Sequence, residues 1–96
     1  MGLFKLFRRK EKIDHEAERR RLLMTHGRIT DGRIIDCEQR PDGREVIFYV
    51  YCLNGVDFES SELLTVEQQS DRLKYAPGAK IGVRYDPKNQ GNSMLD

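Results

Sequence analysis

The sequence predicts a mainly β fold: a small antiparallel barrel or sandwich of four to five strands. One short helix is expected between strands three and four, and another helix ahead of the sheet. Three observations carry this reading. β-favouring runs punctuated by Pro, Gly and Asn turn signals recur from Arg28 to Leu95. The 96 residues allow one domain with a limited core. Ahead of Gly27 the composition changes to a charged stretch, Lys12 to His26, with no Pro or Gly in it.

The N-terminal part comes first. Leu3, Phe4, Leu6 and Phe7 fall on one side of a helix, flanked by Lys5, Arg8 and Arg9. Ile13, Ala17 and Met24 make a thin apolar stripe, and Glu16 and Arg20 stand at the favourable i, i+4 spacing. A helix is expected over about residues 8–25, stopped by Gly27. Residues 1–26 thus form a basic amphipathic segment, helical or disordered, and residues 27–96 the β-domain.

In the β-domain, Arg28 to Glu38 reads as a strand with Gly32 inside it. A glycine there suggests a bulge, a bend or a close backbone approach. Arg40-Pro41-Asp42-Gly43-Arg44 is a turn. Glu45 to Leu53 is the best strand in the chain, apolar on both faces, which marks it as central and covered on both sides or as carrying a binding aromatic face. Asn54-Gly55 predicts a two-residue hairpin, with Val56 to Leu63 returning antiparallel, Val56 and Phe58 inward. Thr65-Val66-Glu67-Gln68 matches a capping box and opens a helix toward Tyr75, ended by Pro77-Gly78. Lys80 to Tyr85 is a strand, Asp86-Pro87 a turn, and Ser93 to Leu95 a short last strand.

Charge is unevenly placed. Residues 1–33 carry ten Lys/Arg and five Asp/Glu, a surplus of +5, and residues 34–96 carry seven and eleven, a surplus of −4. A basic head on an acidic body expects an anionic partner for the head alone. The longest apolar stretch, Val46 to Leu53, is too short to span a bilayer. The start lacks the apolar run of a signal peptide, and Leu6 stands where a myristoylation motif needs Ser or Thr. The expected compartment is therefore cytoplasmic and reducing, with Cys37 and Cys52 unpaired.

The last third carries a resemblance. Gly32 in an early strand and a tyrosine-bearing strand running into Asn54-Gly55 precede Tyr75-Ala76-Pro77-Gly78-Ala79-Lys80-Ile81-Gly82-Val83-Arg84-Tyr85-Asp86-Pro87 and a final Ser93-Met94-Leu95. This resembles the bacterial domain of unknown function numbered thirty-five ninety-two, over about residues 27–96. Gln90 departs from the proline many members carry there. The resemblance implies a small antiparallel β-domain, often beside or between transmembrane helices, and brings no catalytic residues.

The candidate membrane-binding residues are Leu3, Phe4, Lys5, Leu6, Phe7, Arg8, Arg9 and Lys10, as an interfacial anchor on anionic lipid. The competing reading is a frayed tail, or a helix docked on the β-domain or on a second copy. Tyr49 and Tyr51 could form a stacking platform for a ligand, but Glu45, Asp57 and Glu59 surround them with the wrong charge for nucleic acid. Core packing is the expectation for both. Arg19-Arg20-Arg21 reads as a solvated helix face, and Glu59, Ser60, Ser61 and Glu62 as a polar strand end. His15 and His26 stand alone, so no metal, cofactor or catalytic constellation is expected. The expected function is a non-enzymatic binding or scaffold module, peripheral at the bacterial inner membrane through its N-terminal segment. A soluble protein-interaction or self-associating module, a homodimer for example, is the alternative, and a single-strand nucleic-acid binder comes third.

Overall fold

A computed structural model describes residues 15–96. Helix α1 covers residues 15–26 of that range, so the part of the expected helix before residue 15 lies outside the described residues. Strands β1 (Arg28–Gln39), β2 (Glu45–Leu53) and β3 (Val56–Leu63) follow. Helix α2 (Val66–Gln69) and strands β4 (Lys80–Asp86) and β5 (Asn89–Leu95) complete the chain. All pairings are antiparallel, and the five strands form one sheet in the order β3-β2-β1-β4-β5. The sheet curls into a nearly closed barrel, with β3 and β5 facing each other across a seam.

The turn chemistry acts as the residues dictate. Asn54 and Gly55 both take positive φ, 52° and 80°, the geometry that matches a tight hairpin to strand twist. Gly27 ends α1, its N–H donating to the Leu23 carbonyl at 2.9 Å. Thr65 and Gln68 form the reciprocal capping box at the start of α2. That helix is shorter than expected: it stops at Gln69, and residues up to Gly78 continue as turns. The last strand is longer than expected, beginning at Asn89.

Strand β1 is the hinge of the barrel. Its first half pairs with β4 and its second half with β2, with the two overlapping at Gly32 and Arg33. Gly32 answers a close approach, since a Cβ there would stand 2.5 Å from Val83 Cγ2 and 3.0 Å from the Val50 carbonyl oxygen. A bulge follows at Ile35. It resets the side-chain phase, so that Ile34 and Cys37 both turn toward the core while Ile35 and Asp36 stay exposed. Without the extra residue, strict alternation would aim Asp36 inward. Asp36 Oδ1 also accepts the Cys37 N–H at 2.8 Å.

The interior is filled by side chains. Ile34, Ile47, Tyr49, Tyr51, Leu64, Ile81, Val83 and Leu95 are buried together, with Phe58 and Tyr85 partly buried against them. Tyr51 stacks on Phe58 with ring centroids 5.4 Å apart. Only the inner face of β2 is fully covered: on the outer face Val46 is buried, Phe48 and Val50 are half-buried and Cys52 is exposed. Phe58 faces inward on β3 as expected, whereas Val56, at the hairpin end, is exposed.

Candidate functional site

The polar chemistry of the molecule gathers at the β3–β5 seam. On β5, Leu95 and Ser93 stand opposite Val83 and Tyr85 of β4, while the Leu95 N–H and the Ser93 carbonyl bond side chains of other elements at the edge. Side chains from three other elements occupy that edge. Glu62 of β3 accepts the Leu95 N–H through Oε1 at 3.2 Å. Arg19 of α1 donates through Nη1 to the Ser93 carbonyl and to Asn92 Oδ1, both at 3.0 Å. Tyr51 of β2 donates its hydroxyl to the Gln90 carbonyl at 2.6 Å. Tyr49 shares a 2.8 Å hydrogen bond with Ser93 Oγ. The two tyrosines thus span the interior and tie β5 to β2, which is not its sheet neighbour.

Glu62 is the unusual member. It is 6% exposed, and its second oxygen, Oε2, is buried without a hydrogen-bond partner among the described residues. Burial pushes its carboxyl above the ordinary range, while the Leu95 N–H, Arg20, Arg19 and Gln68 act in the opposite direction. Burial likewise raises Tyr49, opposed by its bonds to Ser93 and Ser60. Glu16 on α1 behaves in the contrary way: its hydrogen bond from Arg19, with Arg20 adding to it, lowers it to about 2.

Helix α1 sits on the outer side of β4 and β5. Arg84, beside the inward Val83, reaches outward to donate to the Met24 carbonyl at 3.4 Å and to pair with Asp96 at 2.7 Å. Leu23 is 2% exposed and supplies the apolar contact of the helix. Beside it runs a groove of about 650 Å³, floored by Leu22, Leu23 and Pro87 and edged by His15, His26 and Lys88.

Leu3, Phe4, Lys5, Leu6, Phe7, Arg8, Arg9 and Lys10 lie outside the described residues. Tyr49 and Tyr51 are core residues, at 0% and 2% exposure, and offer no ring face at the surface of this structure for a ligand to stack on. Arg20 and Arg21 pair with Glu16 and Glu18 on the helix surface as expected, but Arg19 turns into the seam. Cys37 and Cys52 are both free, and burial and Glu45 raise the Cys37 thiol, which disfavours a reactive thiolate. Among the described residues no His/Cys/Asp/Glu group could hold a metal ion, and no helix is long and apolar enough to cross a membrane.

Glu62 is the residue that sequence reasoning missed. The available signal was the period of two running from Phe58 through Ser60 and Glu62 to Leu64, which puts the carboxyl on the inward face.

Fold and seam together define a small five-stranded antiparallel β-barrel domain whose open edge is closed by side chains. Residues 25–96 match the sequence model of a domain of unknown function, DUF3592, and the chain belongs to that family. Neither a curated protein nor a solved structure matches the chain.

Proposed function

We propose that the chain is a non-enzymatic binding or scaffold module, held peripherally at an anionic membrane surface, such as a bacterial inner membrane, through residues 3–10. The observation that carries this reading is the charge split, a surplus of +5 over residues 1–33 against −4 over residues 34–96. Four cations and four large apolar residues within residues 3–10 match the two components of interfacial binding. Each cation near an anionic surface contributes about 1 kcal/mol, so one such segment gives reversible attachment. The packed barrel interior supports the binding-module part: recognition falls to the outside of the domain.

Flotation with neutral and anionic liposomes, using the full chain and a chain lacking residues 1–12, tests the proposal. The expected result is that only the full chain floats, and only with anionic lipid. Equal behaviour of the two chains removes the membrane role.

A second reading, a protein-interaction or self-associating module, is favoured by the groove beside α1, where Leu22 is 44% exposed. It predicts a mass that rises with concentration in lipid-free solution and that returns to the monomer value in Leu22→Asp. A monomer at all concentrations that captures no partner removes it.

A further inference from the structure

We propose that Glu62 is a proton-responsive latch that couples closure of the β3–β5 seam to the docking of α1. The geometry that carries it is a buried carboxylate with one oxygen satisfied and one not, at the β3–β5 edge that side chains close.

The neutral acid suits this site. A proton on Oε2 leaves Oε1 to accept the Leu95 N–H, so the 3.2 Å bond at the seam is kept. Loss of that proton leaves a buried anionic oxygen that accepts no hydrogen bond in the closed seam, with the Gln68 side chain as the neutral polar group nearby, a costly state in a low-dielectric setting. Among the described residues, few groups face Glu62. Helix α1 brings Arg19 and Arg20, β2 brings Tyr49, β5 brings Ser93 and the Leu95 amide, and α2 brings Gln68. Among the described residues the two guanidiniums are the cations that could neutralise the anion, and both already bond Glu16, which keeps its charge down to about pH 2. Arg19 is further committed to Asn92 and the Ser93 carbonyl. Satisfying Glu62 by moving Arg19 therefore strips the bonds that hold α1 to β5. The other relief, opening the seam to water, breaks the Leu95 bond.

The sign of the coupling follows. The closed form binds the proton more tightly than an open form whose carboxyl is in water. Closure is fully favoured below the open-form midpoint and weakens as pH rises toward the closed-form midpoint. One coupled proton makes amide protection fall about tenfold per pH unit within that window.

The test is an NMR titration of the full chain. It follows the Glu62 carboxyl carbon, the Leu23 methyls, the Arg19 side chain and the exchange protection of the Leu95 amide. The expected result is a Glu62 midpoint above the ordinary glutamate value, with the Leu23 and Arg19 signals shifting and Leu95 protection falling over the same step. Glu62→Gln mimics the neutral acid and should abolish this dependence. A Glu62 midpoint at or below the ordinary value, unmoved α1 signals, flat Leu95 protection or an unchanged profile in Glu62→Gln would each overturn the latch. The wild-type titration decides the matter even if the variant fails to fold.

Discussion

At the scale of the residue, two glycines show two different reasons for having no side chain. Gly55 has open space around its missing Cβ but a φ of 80°, so Gly55→Ala meets only the backbone cost of the left-handed region, about 1–2 kcal/mol. Gly32 has an ordinary φ and no space. Gly32→Ala must push Val83 Cγ2 from 2.5 Å and cannot move the Val50 carbonyl at 3.0 Å, so overpacking should cost about 1–3 kcal/mol. The two mechanisms separate in a double-mutant cycle read by urea denaturation. Val83→Ala removes the clashing methyl, so Gly32→Ala/Val83→Ala should be less destabilised than the sum of the single changes. Val83→Ala should leave the cost of Gly55→Ala unaltered. Strict additivity at Gly32 would mean that Val83 is not the obstacle.

At the scale of the element, what the sequence discloses is local chemistry. The Asn54-Gly55 hairpin, the Thr65/Gln68 capping box and the Gly27 stop are each written in adjacent residues, and each forms as read. What stays hidden depends on distant partners. The bulge at Ile35 is invisible because Ile34-Ile35-Asp36-Cys37 breaks alternation without saying how the break is resolved. The start of β5 at Asn89 is hidden because polar residues there are held by Tyr51 and by pairing to Asp86, not by their own strand preference. Glu62 looked like a strand end because its burial is supplied by α1, α2 and β5. Local chemistry also gives the element-scale prediction. Thr65→Ala removes the acceptor of the Gln68 N–H and should cost about 0.5–2 kcal/mol. Since α2 buries no residue of its own, the loss should be confined to faster exchange of the Gln68 and Gln69 amides, with β2 unaffected. A comparable loss of protection in β2 would show α2 to be part of the barrel's cooperative unit.

For the whole molecule, the question is whether α1 and the barrel unfold together. The barrel is a continuous core of ten buried residues joined by four strand pairings. Among the described residues, helix α1 is held by one fully buried side chain, Leu23, by Arg19 at the β5 edge and by Arg84 at the Met24 carbonyl. So few ties should let α1 open sub-globally, at less free energy than the barrel needs to unfold. Leu23→Ala would ordinarily cost about 2–5 kcal/mol at a buried site. If α1 opens alone, the global loss cannot exceed the free energy of docking, because beyond that the helix simply detaches and the barrel stays folded. The expected outcome in native-state exchange is loss of protection across α1, with β1 and β2 retaining theirs and the urea midpoint moving little. Arg19→Gln should act in the same direction, exposing the β5 edge at Ser93 as the helix loosens. If Leu23→Ala lowers protection equally in α1 and in β2, then α1 is an integral wall of the barrel. In that case the seam at Glu62 opens only when the whole domain does.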